Sequence, residues 1–526
     1  MSVEFFRPPL EYPRMPYDRM LSHGAERYPE NVAIIFREVS LTYRELEALT
    51  NRFARALTGL GVAKGDRVCV LSPNCPEYII AFYAIARVGA VASPMNPSYR
   101  EREIEYQLND TEAVAIVTHV NLVPLVHAVR ARTPHLEHVI AVGPGQASGA
   151  GVRGFADLMA AQPSTPPARV ELDDDDLVAL PYSSGTTGLP KGVMITHRNL
   201  VTNNIQFVAC IRMRDSDRLM LFLPFYHIYG TMLMGAAVYT GATCVLMERF
   251  DPVECLDLVQ RHRVTLFFVV PPVLLMLSNW PELSKYDVSS LRTTMVGAAP
   301  VAPELARRFK QLTGVPVLQG YGMTEASPLT HVNPVYDENL NVVDSAGLLA
   351  HDTTHKVVDI ETGEKELAPG EIGEICIRGP QIMRGYWRAP EATAAALRDG
   401  WYYSGDIGYV DERGYLFIRD RKKEMIKFKG FGIAPAEIEA LLVEHPAVAD
   451  AAVIGKPDPE AGEIPKAFVV TKKGQQLTAG DVIAFVKGRL ANYKVPGEVE
   501  FVEAIPKTAS GKILRRVLKE QELAKG

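Results

Sequence analysis

The stretch Tyr182-Ser183-Ser184-Gly185-Thr186-Thr187-Gly188-Leu189-Pro190-Lys191-Gly192-Val193 gathers two serine and two threonine hydroxyls, four glycines or prolines and a single lysine. The apolar run Leu177-Val178-Ala179-Leu180 leads into it and reads as a buried strand. A strand that opens onto a hydroxyl- and glycine-rich loop offers N–H and O–H donors to a polyanion, with a cation to follow. A triphosphate suits that chemistry. A flexible Gly/Ser linker is the bland alternative, but linkers rarely follow a core strand or hold one fixed lysine. It is not a Walker loop, because Lys191 is followed by Gly192 and not by a serine or threonine.

Further chemistry-bearing positions fall at predicted strand ends. His227 lies in Leu223-Pro224-Phe225-Tyr226-His227-Ile228-Tyr229-Gly230. A lone histidine among apolar residues is more often packed than reactive, but a strand-end loop beside a nucleotide site is where a carboxylate substrate would lie. Gly297, Ala298 and Ala299 have side chains small enough for a planar base to approach the backbone. In Gln319-Gly320-Tyr321-Gly322-Met323-Thr324-Glu325, Tyr321 offers a ring to stack on adenine and Thr324 a hydroxyl for the α-phosphate. Glu325 offers a hard oxygen ligand for Mg²⁺. Asp406, in Trp401-Tyr402-Tyr403-Ser404-Gly405-Asp406-Ile407-Gly408, supplies a carboxylate suited to two ribose hydroxyls, although Ser-Gly-Asp alone means a turn more often than a site. The charged segment from Ile418 to Gly430 reads as a joint, and Pro506-Lys507-Thr508-Ala509-Ser510-Gly511-Lys512-Ile513 as a glycine-flanked lysine on a loop.

Taken in order, these motifs resemble the adenylate-forming superfamily: acyl-CoA synthetases, coumarate–CoA ligases, firefly luciferases and peptide-synthetase adenylation domains. The likeness runs from about residue 30 to 515. It implies an enzyme that activates a carboxylic acid as an acyl-adenylate with release of pyrophosphate, then passes the acyl group to the thiol of CoA with release of AMP. ATP, Mg²⁺ and CoA are the implied co-substrates and cofactor. The resemblance implies that Ser183 to Gly188 and Lys191 hold the phosphates, and that Thr186 and Glu325 hold the metal. Gly297 to Ala299, Gln319 to Thr324, Asp406, Ile418 and Arg421 would surround the nucleoside. Lys512 would bridge the carboxylate and the α-phosphate, Lys423 would be the pivot, and Lys427, Lys429, Gly430, Phe431 and Gly432 would line the path of the CoA thiol. His227, Lys191, Thr186, Glu325 and Lys512 form the implied catalytic set.

For the acid itself the implied lining is His227, Tyr229, Gly230, Thr231, Ala298, Gly322, Met323 and Leu329, mostly apolar and without a clear cation. A buried ammonium or a small polar acid would need a paired charge. Ala326-Ser327-Pro328-Leu329-Thr330-His331-Val332-Asn333-Pro334 looks most like bacterial fatty acyl-CoA ligases, so a medium- or long-chain fatty acid is expected. An aryl or phenylpropenoyl acid, or delivery to a carrier-protein thiol, stays open.

These positions need a scaffold. Thr42-Tyr43-Arg44-Glu45 is a capping box that opens a helix, and Pro76 and Gly89 bracket another. Buried strands read at residues 68–71, 114–117 and 139–142, then at 219–223, 243–247, 265–270, 293–296 and 316–319, with helical patterns between them. Strands alternating with helices imply parallel, doubly wound sheets with ligands beyond the strand ends. The expected fold is α/β: a large N-terminal domain (1–420) of two such sheets plus a small β-barrel over about Asp344 to Arg419, a hinge at 421–423, and a mobile α+β domain at 424–526. Gly143 to Pro167 reads as a connecting loop and Asp173 to Asp176 as a solvated turn.

The 526 residues exceed one ordinary core. A net charge of −6 gives no support for nucleic-acid binding. Six cysteines without a Cys-x-x-Cys pair fit a reducing cytoplasm. No signal peptide or membrane span is read; loose contact with a membrane surface, and a monomer or homodimer, stay open.

Overall fold

The computed structural model describes residues 7–145, 149–183, 190–428, 431–458, 460–508 and 511–525. Among these residues, two nine-stranded sheets form most of the large N-terminal part. Their central strands are parallel and short, as in Arg67–Leu71 beside Ala115–His119 and Leu266–Val269 beside Thr293–Val296. Their residues are nearly all buried, because helices cover both faces and leave no polar side. One core joins the sheets, and the helices Pro76–Arg87 and Ile228–Thr240 are apolar almost all round because both lie inside it.

The local readings hold at several elements. Thr42 Oγ1 accepts the Glu45 N–H and a Glu45 carboxylate oxygen accepts the Thr42 N–H, closing the capping box of helix Tyr43–Gly59. Pro76 begins the next helix, and Gly89 follows its end with φ +74°. Asp176 closes the expected turn by accepting the Asp173 N–H and pairs with Lys64 at 2.7 Å.

Pairing over long range does not follow the order of the chain. The strand Val32–Phe36 lies beside Thr243–Leu246 in the second sheet, while Lys191–Thr196 runs antiparallel to Leu177–Ala179 in the first. The segment from Gly143 to Pro167, expected as a plain loop, instead adds the strand Val152–Gly154 and the helix Phe155–Ala160. One aromatic ring makes the difference: Phe155 is buried with its centroid 4.2 Å from that of Phe53. Six helical residues are too few to show a period in the sequence.

The Gly-rich stretch forms a third, five-stranded antiparallel sheet, in which Trp401–Val410 pairs with Gly373–Arg378 on one side. On its other side it pairs with Leu397–Arg398 and with Leu416–Arg421. The ladder among the described residues starts at Thr354–Val358, which pairs with Gly373–Arg378.

The C-terminal part has its own sheet, built on a long hairpin of Val448–Asp458 and Gly462–Thr471, and its own core. Helices Pro435–Val443, Ala479–Lys487 and Arg515–Leu523 pack with it. Among the described residues no helix is long and apolar enough to cross a membrane.

Candidate active site

The glycine-rich loop is clamped at both ends. Ser183 pairs with Lys191 and Tyr182 with Gly192 in an antiparallel ribbon. Ser184, Gly185, Thr186, Thr187 and Gly188 lie outside the described residues. Neighbouring groups fix the ribbon: Tyr182 donates to the Asp110 carboxylate, Tyr106 to the Pro190 carbonyl at 2.9 Å, and the Trp387 backbone N–H to the Gly192 carbonyl at 2.8 Å.

Glu325 is the acid of this corner. It lies on a short helical turn, Thr324–Ala326, just past the strand Val317–Gly322, and is buried. Its Oε1 accepts the Tyr386 hydroxyl at 2.9 Å and the Ser183 hydroxyl at 3.3 Å. Lys191 Nζ lies 5.6 Å from the centroid of the same tyrosine ring, so one tyrosine contacts both the loop's cation and the buried carboxylate. Tyr386 was not among the residues singled out from sequence. A lone tyrosine in a Gly-rich stretch gives no local sign, and its partner is 61 residues away. A buried oxygen anion oriented by hydroxyls suits a hard cation. Among the described residues no group of three His, Cys, Asp or Glu forms a metal cage. Mg²⁺ is ordinarily held by one or two carboxylates together with substrate phosphates, so Glu325 fits it on those terms.

Three segments converge beside this corner. Tyr321 donates to Asp406 Oδ2 at 2.6 Å, and Arg421 Nε pairs with Asp406 Oδ1 at 3.0 Å. The Asp406 carboxylate is thus oriented from both sides and 5% exposed. Ile418 and Met323 pack near Tyr321 in one small apolar cluster. Gln319 has a structural task, because its Oε1 accepts the Val301 N–H and its amide donates to the Val343 carbonyl, which ties the loop after Gly297 to the strand. Ala298 takes a left-handed backbone, φ +70°, with its side chain exposed at the strand end. Gly320 and Gly322 are set by close backbone or side-chain approach; a methyl on Gly322 would sit 2.0 Å from the Pro328 carbonyl oxygen. Thr324 and Ala299 are half-buried at the same rim.

His227 caps the helix Ile228–Thr240, with Nδ1 accepting the Tyr229 N–H at 3.2 Å. Burial pulls its pKa down to about 4, and the charge of Lys512 adds to this, so the ring is neutral near pH 7. The Tyr229 ring lies against Gly297, where a methyl would stand 3.0 Å from a ring carbon, and its buried hydroxyl has no hydrogen-bond partner among the described residues. Thr231 differs from the expected lining: its hydroxyl turns back to the Phe225 carbonyl at 2.8 Å. Gly230 is demanded by the turn, since a methyl there would meet the Pro224 carbonyl at 2.2 Å. Leu329 is buried in a strand whose backbone bonds Asn203.

The lysine loop of the C-terminal part reaches this cleft. A bridge between Lys507 and Ile513 closes its base, and Thr508 exchanges hydrogen bonds with the Lys512 backbone. Gly511, at φ +80°, packs so closely that a methyl would lie 2.5 Å from Pro272 of the N-terminal part. Burial lowers the Lys512 pKa to about 8, helped by Arg421 and opposed by Asp406. The segment that leads into the C-terminal part is pinned by Lys422 on Glu374 at 2.8 Å, with Lys423 exposed. The residues expected along the thiol's path are not gathered here. Lys427 bonds Glu463 through its backbone and Gly432 pairs with Lys427, both within the C-terminal sheet. Lys429, Gly430 and the Phe431 side chain lie outside the described residues.

The arrangement is therefore a loop clamped at both ends beside a buried carboxylate, a carboxylate–tyrosine–arginine cluster, a neutral histidine among apolar side chains, and a lysine from the second part. Residues 21–387 match the family model of the AMP-binding enzymes, and residues 437–512 match the AMP-binding enzyme C-terminal domain. The chain is 37% identical to the long-chain-fatty-acid–CoA ligase of Bacillus subtilis (strain 168), over 98% of this chain and 96% of that one. It is 40% identical to 4-coumarate–CoA ligase 2 of Solanum tuberosum, over 91% and 88% of the two chains. ATP-bound MatB from Rhodopseudomonas palustris superposes with a TM-score of 0.89 at 32% identity, covering 96% of this chain and 99% of that one. The apo structure of MatB, with 96% and 99% covered at 32% identity, scores 0.78, so the arrangement here is nearer the ATP-bound one. By sequence along nearly its whole length and by architecture, this chain belongs to the AMP-binding enzyme family.

Proposed function

We propose that the chain is an AMP-forming acid–CoA ligase whose preferred acid is a medium- or long-chain fatty acid. The observation that carries the reading is the entry of Lys512 into the cleft that holds Asp406, Arg421 and His227. A carboxylate is a poor electrophile. In the first half-reaction its oxygen attacks the α-phosphorus of ATP and the bond to pyrophosphate breaks. In the second, the CoA sulfur attacks the acyl carbon and the bond to AMP breaks. Negative charge gathers where the carboxylate and phosphate meet, so positioning and electrostatic stabilisation supply most of the catalysis.

Lys512 contributes a cation to that meeting point. Lys191 and the hydroxyls of the loop, Ser183 to Thr187, neutralise the departing pyrophosphate. Glu325 would hold Mg²⁺, with Thr186, and the ion supplies charge neutralisation to the phosphates. Asp406 and Arg421 orient the ribose, Tyr321 packs on adenine, and neutral His227 borders the reacting carboxyl without adding charge. For the second half-reaction we propose that the C-terminal part, residues 424–526, pivots at 421–423 on the N-terminal part, 1–420. That motion withdraws Lys512 and brings the segment Lys427–Gly432 to the thiol. The six cysteines are all free and buried, which supports a reducing, cytoplasmic setting.

A second reading keeps the chemistry and changes the acid. A buried hydroxyl without a partner costs ~1–3 kcal/mol, and that of Tyr229 would be satisfied by a polar group on an aryl acid. The test is AMP and pyrophosphate release with ATP, Mg²⁺ and CoA, across acetate, octanoate, palmitate, benzoate and coumarate. A maximum at octanoate or palmitate supports the fatty acid, and a maximum at coumarate or benzoate replaces it with the aryl acid. Pyrophosphate release indifferent to CoA would instead indicate a carrier-protein acceptor.

A further inference from the structure

Lys512 acts only where its loop is held; Thr508 and the Lys512 backbone bond each other within the loop, and Lys507 at its base pairs with Asp450 at 2.6 Å. The next fixed point along the chain is Arg515, at the start of helix Arg515–Leu523. Its guanidinium grips the Glu439 carboxylate with two prongs, Nε to Oε1 at 3.0 Å and Nη2 to Oε2 at 2.6 Å. Glu439 is 8% exposed, lies on helix Pro435–Val443, and also accepts the Val453 N–H at 2.7 Å. A fork of this kind fixes direction as well as distance.

The same helix is held at its start from across the hinge. Asp420, on the strand Leu416–Arg421, accepts the Ala436 N–H at 2.8 Å in the helix's first turn and the Arg421 N–H at 2.7 Å. Asp420 is 5% exposed and lies within the field of Arg515, as does Glu439. Arg421, next in sequence, is the residue paired with Asp406. A chain of short, directional contacts thus runs from Asp406 through Arg421, Asp420, helix Pro435–Val443 and Glu439 to Arg515, three residues beyond Lys512.

We infer that Asp420, Glu439 and Arg515 are positioning residues: they hold the Lys512 loop at the cleft for adenylate formation, and the Asp420 contact breaks when the C-terminal part pivots. The inference rests on the role given to Lys512 above. A buried ion pair is weak evidence for stability, because desolvation offsets most of the attraction. An orientation role accounts better for two buried carboxylates around one guanidinium. Glu439 and Arg515 lie on the same side of the hinge and would move together. Asp420 and Ala436 lie on opposite sides.

The experiment compares Glu439→Gln, Asp420→Asn, Lys512→Ala and the double variant E439Q/K512A in the full chain. The first half-reaction is read by ATP–pyrophosphate exchange with the best acid of the panel, and the second by thioester formation from that acid's supplied acyl-adenylate and CoA. A misplacement of about 1 Å costs on the order of 100-fold, so E439Q and D420N should slow exchange by about 10- to 100-fold in kcat. The KM for ATP and the rate of thioester formation should stay within about twofold of wild type. E439Q/K512A should exchange no more slowly than K512A, since the pair acts through the lysine. Equal loss in both half-reactions, or losses that multiply in the double variant, would overturn the inference. If E439Q does not fold, Arg515→Lys keeps the charge, removes the fork and carries the same comparison. A K512A enzyme with intact exchange would sink the role of Lys512 and this inference with it. Selective K512A beside a wild-type-like E439Q would sink the inference alone.

Discussion

Lys512 is a cation placed against its own preference, and that makes the first half-reaction sensitive to alkaline pH. The fall from the ordinary lysine value of 10.5 to about 8 comes first from burial and then from Arg421. It corresponds to ~3 kcal/mol against the charged form. The sign separates two effects of raising pH. The undocked lysine binds the extra proton between pH 8 and 10.5, so docking of its loop becomes more favourable through that window. The charge needed at the reacting centre is meanwhile lost. For the free enzyme, kcat/KM in ATP–pyrophosphate exchange should therefore fall above pH of about 8. With ATP and acid bound, two anions face the ammonium. A pair at about 4 Å is worth ~4 kcal/mol at an effective dielectric near 20. That offsets the burial cost and moves the limb in kcat upward. Exchange is the right assay because it omits CoA, whose thiol would titrate near pH 8.5 (about the free cysteine value). Lys512→Arg should lower the rate and abolish the limb, because guanidinium stays charged. A limb at pH 8 that persists in K512R would refute the reasoning, as would an enzyme insensitive to pH up to 10.

Two further variants test the site. Tyr386→Phe keeps the ring beside Lys191 and removes the hydroxyl on Glu325. A hydrogen bond to a charged acceptor is worth ~1.5–3 kcal/mol, so the Mg²⁺ concentration for half-maximal exchange should rise by roughly tenfold or more. Loss of rate with an unchanged Mg²⁺ curve would count against it. Gly297→Val pushes on the Tyr229 ring, which already lies 3.0 Å from where a methyl would stand. A methylene in an apolar pocket is worth ~1–3 kcal/mol, so kcat/KM for palmitate should drop by about 10-fold or more relative to acetate or octanoate. A uniform drop across the panel would place Gly297 outside the acyl recess.

The sequence by itself determined the elements whose causes are local. The capping box at Thr42 and Glu45, the proline that opens helix Pro76–Arg87, and the buried strands written as apolar runs all appear where their residues ask for them. The glycine-rich loop, Glu325, Asp406 and Lys512 stood out in the sequence for a related reason: each lies in a short contiguous motif whose residue types suit one chemistry. The tertiary structure decided which of these meet. Tyr386 reaches Glu325 across 61 residues, and Tyr321 reaches Asp406 across 85. The strand Val32–Phe36 finds its partner at Thr243–Leu246, and Phe155 turns an apparent loop into a helix by filling a space beside Phe53. Such contacts follow from how distant surfaces pack, and no local propensity encodes them. The same holds for Asp420, Glu439 and Arg515. Each is an ordinary charged residue in the sequence, and each becomes a positioning group only when the C-terminal part lies against the cleft.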